Sequence, residues 1–206
     1  MIKPVVTCDI DGVLSGWARL FCLRASLVLG REINYDAETN YIQPFGLEYE
    51  EVVKLQDDTR INHDLVHIPP EPGAVEAVTV LCEHYQIVPL TGRPDPQHDQ
   101  TIEWLRLNFP PELSQNLRYG TGANSPFAGV EGRETKEEVA EKLGAVYHIE
   151  DNPFEVVGWR GSRVAVICFA QPYNRKVRRS NPNIPRLRWR GIVELLLSRE
   201  SDNEGA

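Results

Sequence analysis

The chain has 206 residues, of which 41% are hydrophobic and 25% charged, and its formal net charge is -8. That length supports one well-buried core with room for a small appended unit. The acidic balance counts against a dedicated nucleic-acid binder, no apolar run approaches a membrane span, and MIKPVVTCDI passes straight into a strand pattern rather than a signal peptide.

In chain order, PVVTCDI (4–10) reads as a buried strand: apolar, β-branched and bounded by turn chemistry. Residues 15–30 pattern as a helix closed by Gly30, and a looser stretch from 31 to 70 holds one helix near 47–57. PEPGAVEAVTVLCEHY (70–85) is a helix leading directly into the strand QIVPLT (86–91). A helix over 101–109 stops at Pro110, and NLRYG (116–120) is a short strand. ETKEEVAEKLG (134–144) is a polar-faced helix, AVYHIE (145–150) a strand, NPFEVVGWRG a further helix and RVAVICFA (163–170) a strand.

Strand and helix thus alternate, which predicts an α/β fold: a parallel sheet with helices on both faces. The segment 14–70 is too long for a simple crossover and is expected to form a small helical cap inserted after the first strand. The core domain is then 1–13 with 71–195, and 196–206 is expected to be a disordered tail. Cys8, Cys22, Cys82 and Cys168 lie in apolar segments without metal-ligand spacing, which predicts reduced packing residues and a cytoplasmic setting.

Sites in such sheets lie beyond the carboxyl ends of the strands. The first strand ends in Asp9-Ile10-Asp11-Gly12, the second in Thr91-Gly92-Arg93, and a later one in Glu150-Asp151-Asn152. Lys136 opens the polar helix. Side chains alternate along an extended chain, so Asp9 and Asp11 are expected to project to one side. With Glu150 or Asp151 they would form an oxygen-rich pocket suited to Mg²⁺. Thr91, Lys136 and the backbone N–H groups of the turns would form a phosphate site. Alone, each of these segments is an ordinary turn, helix start or solvated helix charge; the ordered combination is the signal.

That ordered set, DIDGV, LTGR, Lys136 and IEDN, resembles the four motifs of the haloacid dehalogenase superfamily over residues 4 to 170. The resemblance implies a Rossmann-like sheet and phosphoryl transfer through an aspartyl-phosphate. It makes Asp9 the nucleophile and Asp11 the general acid/base, with Thr91 and Lys136 on the phosphoryl oxygens. It places Mg²⁺ on Asp9, the Asp11 backbone carbonyl, and Glu150 or Asp151. Gly92 and Arg93 are further phosphate-site candidates, and Arg93 could equally meet a substrate carboxylate.

Within the superfamily, IPPEPGAVEAV and DIDGVLSGW look most like the 5'(3')-deoxyribonucleotidase group, which implies a nucleoside monophosphate as substrate. Thr91-Gly92-Arg93 and Glu150-Asp151-Asn152 depart from that group's usual motifs. Trp17 stands where the group carries a base-stacking aromatic, and an anchor for the cap helix is the other reading for it. Tyr41 and Phe45 are further pocket candidates. The run YNRKVRRSNPNIPRLRWR (173–190) has seven Lys/Arg and no acid. It is either a solvated basic face or a contact for nucleic acid through Arg and Trp189, which would make the protein a polynucleotide-end phosphatase. A non-catalytic phosphate- or nucleotide-sensing module is a third reading.

Overall fold

A computed structural model describes residues 2–33, 46–62, 65–122, 133–159 and 161–204. The first strand, β1 (Val5–Cys8), is followed by helices α1 (Trp17–Leu29), α2 (Tyr49–Asn62) and α3 (Ala74–His84), then by β2 (Gln86–Thr91). Helices α4 (His98–Asn108) and α5 (Pro111–Asn116) lead to β3 (Arg118–Tyr119), α6 (Lys136–Lys142) and β4 (Ala145–Glu150). The chain continues through α7 (Pro153–Gly158), β5 (Ala165–Phe169), α8 (Val177–Ser180), β6 (Arg186–Leu187) and α9 (Trp189–Glu204).

The six strands form one parallel sheet in the order β3-β2-β1-β4-β5-β6. Strand order reverses between β1 and β4, which makes the crevice at their carboxyl ends the natural place for a site. Val6 and Cys8 pack with Val78, Leu81, Trp104, Leu113 and Ile192 on one face of the sheet. On the other face, Leu90 and Ala145 meet Val139, Ala140 and Trp159. Helices therefore cover both faces, as the alternating pattern predicts.

Helices α1 and α2 have an apolar cluster of their own, in which Trp17, Phe21, Ala25, Val52 and Leu55 are joined by Leu65 and Ile68. Backbone bonds from Gly16 N to the Pro69 carbonyl (2.9 Å) and from Glu71 N to the Leu14 carbonyl (2.8 Å) tie the two ends of this insertion together. No helix among the described residues is long and apolar enough to cross a membrane.

The expected tail at 196–206 is corrected by α9, which runs to Glu204. Trp189, Ile192 and Leu196 recur at helical spacing and are buried against the main cluster, and the Tyr85 hydroxyl donates to the Leu196 carbonyl at 2.8 Å. The polar composition of the last residues hid a stripe that continues from before 196. The four cysteines are free thiols, with Cys8 and Cys168 buried.

Candidate active site

The sequence stops β1 at Cys8, after which the N–H groups of Val13, Leu14 and Ser15 all converge on the Ile10 carbonyl at 3.3, 3.0 and 2.8 Å. Alternation nevertheless runs on beyond Cys8, since Val6, Cys8 and Ile10 share one apolar cluster and the Asp9 N–H still bonds the Ile149 carbonyl at 2.9 Å, and each aspartate carboxylate meets its own cation. Asp9 receives Lys136 Nζ at 2.7 Å. Asp11 sits in the fork of Arg93, with Nε to Oδ2 at 3.1 Å and Nη2 to Oδ1 at 2.5 Å, and Ser15 Oγ adds a bond of 3.0 Å.

Gly12 has φ +87°, and a Cβ there would lie 2.8 Å from Asp151 Cγ and 2.9 Å from the Tyr173 hydroxyl. Glycine is required both for the turn and for the approach of Asp151. Gly120, just after β3, is needed for close approach alone, since a Cβ there would come within 2.8 Å of Lys136 Cα. The bare backbone lets α6 start against the sheet.

That start is built by a capping box: Thr135 accepts from the Glu138 N–H while the Glu138 carboxylate accepts from the Thr135 N–H. Lys136 is consequently not a solvated helix charge; it is 6% exposed, with Nζ 2.8 Å from Glu150 Oε2 as well as bonded to Asp9. Although burial alone would lower it, the carboxylates of Asp9, Glu150 and Glu155 hold the Lys136 ammonium well above its ordinary range.

The two late acids are used differently. Glu150 Oε2 accepts from Lys136 and from His148 Nε2 (3.4 Å), and Oε1 accepts the N–H groups of Asp151 and Asn152, both at 3.0 Å. Burial would raise its pKa, but Lys136 and His148 drive the carboxyl well below the usual range. Asp151 takes a hydroxyl bond from Tyr173 on Oδ2. Burial, then Glu150 and Asp9, push its carboxyl well above the ordinary value, against Tyr173. Burial likewise pushes Asp9 up, with Lys136 opposing and Glu150 and Asp11 adding to the rise.

Asp9, Glu150 and Asp151 offer oxygens all within 4.8 Å of one another, and all three residues are buried. Lys136 pairs with Asp9 and Glu150, Asp151 is met by the Tyr173 hydroxyl, and Arg93 is committed to Asp11. The surplus of buried negative charge on hard oxygen donors fits a small divalent cation. Thr91, 2% exposed, accepts the Arg93 N–H on Oγ1 at 3.2 Å, which leaves its hydroxyl proton to be donated elsewhere. Gly92 lies beside the Gly120 carbonyl, 3.4 Å from the position a Cβ would take.

The other predicted residues fall as follows. The Arg93 guanidinium, anchored also on Thr101 Oγ1 (3.1 Å), is given over to Asp11. Trp17 is 2% exposed and stacks on Phe21 with ring centroids 5.9 Å apart, within the apolar cluster of α1 and α2. Tyr41 and Phe45 lie outside the described residues. Trp189 is 2% exposed and donates Nε1 to the Val13 carbonyl, so it presents no face to a base.

Three site residues were missed in the sequence. His148 is buried and stacked on Trp159 at 4.1 Å. Burial lowers its pKa, against Glu150, and the neutral ring with its proton on Nε2 donates to Glu150 and accepts from Thr7 Oγ1 through Nδ1 (2.9 Å). Strand alternation places it on the face of Glu150, a signal legible in HIE. Tyr173, and Asn174, whose Nδ2 donates to the Asp151 carbonyl at 2.7 Å, carry no comparable local signal.

If Asp11 is the acid/base that the motif resemblance implies and Arg93 works through it, Arg93→Lys should lower kcat by about 10- to 100-fold and move KM less than about threefold, since it removes a two-pronged hold on Asp11. Steady-state kinetics on a phosphomonoester check this. Direct contact of Arg93 with substrate phosphate would instead raise KM and spare kcat.

No family model and no curated protein matches the chain. Solved structures do. A haloacid dehalogenase-like family hydrolase from Streptococcus pneumoniae is 12% identical with a TM-score of 0.63, over 95% of this chain and 98% of that one. A conserved haloacid dehalogenase-like protein from Agrobacterium tumefaciens is 14% identical with a TM-score of 0.65, over 96% and 99%. A haloacid dehalogenase family hydrolase from Deinococcus radiodurans, solved with bound phosphate and sodium, is 12% identical with a TM-score of 0.60, over 93% of each chain. This chain thus has the α/β fold of these haloacid dehalogenase-like hydrolases.

Proposed function

We propose that the protein is a Mg²⁺-dependent phosphomonoesterase that hydrolyses a small phosphorylated substrate, a nucleoside monophosphate, through an aspartyl-phosphate. The observation that carries the reading is Lys136 bridging Asp9 and Glu150 beside a separately paired Asp11. Asp9 and Asp151, with the Asp11 backbone carbonyl, would hold the metal, because the oxygens of Glu150 already accept four donors. Glu150 orients Lys136 instead. Bound Mg²⁺ supplies positive charge that offsets the repulsion between the Asp9 carboxylate and a phosphate dianion.

In the first displacement an Asp9 oxygen attacks phosphorus and the bond to the leaving oxygen breaks. Lys136 and the Thr91 hydroxyl stabilise charge on the equatorial oxygens. Asp11 acts as the acid in its protonated form, in which one oxygen gives up its Arg93 bond to carry the proton, and it passes that proton to the leaving alkoxide. In the second, Asp11 takes a proton from water, whose oxygen attacks phosphorus and frees Asp9 with release of inorganic phosphate. Glu150 and Lys136 keep Asp9 pointed at the phosphoryl group throughout.

The nucleotide assignment rests on the likeness of DIDGVLSGW and IPPEPGAVEAV to deoxyribonucleotidases. A panel of deoxynucleoside monophosphates, sugar phosphates and phosphoglycolate, assayed with Mg²⁺ and with EDTA, tests it. Release of phosphate should require the metal and favour the nucleotides. Preference for a sugar phosphate would overturn the substrate class, and no hydrolysis of any compound would favour the sensing module.

A further inference from the structure

The basic run is the feature that hydrolysis of a small phosphomonoester leaves unexplained. Arg175, Lys176, Arg178, Arg179, Arg188 and Arg190 are exposed. Arg186 is drawn inward, with Nε donating to Asn174 Oδ1 at 2.8 Å and Nη2 to the Gln171 carbonyl at 2.5 Å. Arg188, Arg175 and Arg178 lie near enough to Arg186 to act with burial, and against Cys168, in pulling its guanidinium below the ordinary value. Arg190 pairs with Glu194, and Arg188 lies 4.0 Å from Glu71. Among the described residues, no carboxylate is within ion-pair distance of Lys176, Arg178 or Arg179.

The cluster begins at the lip of the site. Tyr173 donates to the Asp151 carboxylate, Asn174 to the Asp151 carbonyl, and Gln171 Nε2 to the Gly12 carbonyl at 2.6 Å. Mutual repulsion at this density opposes folding, so stability does not account for the cluster. One further phosphate would engage one or two of these groups. Six exposed cations, spread over the turn before α8, α8 itself, the end of β6 and the start of α9, suit several phosphates in succession.

We propose that this surface binds the phosphodiester backbone of a single-stranded oligonucleotide whose terminal phosphomonoester reaches Asp9. The hydrolytic half of this inference rests on the phosphomonoesterase reading above; the binding half does not. With Trp189 buried, contact is to backbone phosphates and independent of base sequence.

The test is fluorescence anisotropy with labelled single-stranded DNA carrying a 5'-phosphate, a 3'-phosphate or neither, in EDTA, over a range of salt. Wild type is compared with Lys176→Ser/Arg178→Ser/Arg179→Ser and with the charge-conserving Arg178→Lys/Arg179→Lys. The triple variant should bind about tenfold more weakly at low salt, with a log–log salt slope smaller by up to about 2, three single-strand contacts' worth. Its kcat/KM should fall about tenfold on the phosphorylated oligonucleotide and stay unchanged on a mononucleotide, and the lysine variant should behave as wild type. Equal binding by wild type and a folded triple variant, or no binding by wild type, overturns the proposal. Tighter binding of inorganic polyphosphate through the same three residues overturns the nucleic-acid assignment. Salt-dependent binding without hydrolysis of any phosphomonoester supports the surface and sinks the phosphomonoesterase reading.

Discussion

Asp9→Asn should lower kcat by about 10⁴-fold or more while leaving the fold intact, because it removes the attacking oxygen without changing the shape of the side chain. An amide oxygen still accepts from Lys136, so the 2.7 Å contact has a neutral successor. Stability should be kept or rise slightly. The substitution takes one charge from a buried cluster of three acids in which Lys136 pairs with Asp9 and Glu150. Single-turnover phosphate release and a urea midpoint measured on the same preparation give the two answers. Near wild-type turnover with an unchanged midpoint would sink the covalent mechanism, and the acids would then have to be read as structural.

Lys136→Met should be the most destabilising change at the site. It leaves Asp9 and Glu150 buried without their shared cation, and breaking a buried pair from one side costs about 3–5 kcal/mol. For a chain of this size that corresponds to roughly 6–20 °C in Tm. The pH dependence has a definite sign. In the wild type, Glu150 titrates below its unfolded value, so its stabilisation is present above about pH 4.3 and is lost as pH falls toward the folded pKa. Without Lys136 the same carboxyl is raised, and stability is lost as pH rises. The gap between the two proteins should therefore widen from pH 4 to pH 8 in thermal melts run in EDTA. Lys136→Met/Glu150→Gln should recover part of the lost stability and none of the activity.

Much of this protein can be read along the chain. The strands QIVPLT and AVYHIE have the bounds expected of them, because each is an apolar stretch bounded by a helix end and a turn. The order of helices and strands was enough for a parallel sheet. The candidate site positions Asp9, Asp11, Thr91, Lys136, Glu150 and Asp151 can be picked out along the chain because strand tips and helix starts are marked by local turn and cap residues. The extent of α9 was not, since a polar last turn looks the same whether or not the preceding stripe docks on α3.

Periodicity and turn chemistry are local, so residue order alone places the candidate site side chains at the carboxyl edge of the sheet. What each one touches depends on the closed fold. Arg93 goes to Asp11 across 82 positions and Lys136 to Asp9 across 127, and Glu150 rather than Asp151 has its oxygens filled by donors. It also brought Tyr173, Asn174 and the basic run to the same edge. Partners at such separations are chosen by strand order and helix docking. Residue types at fixed spacing limit the chemistry, and the burial that makes each charge need a partner arises only when the sheet closes around it.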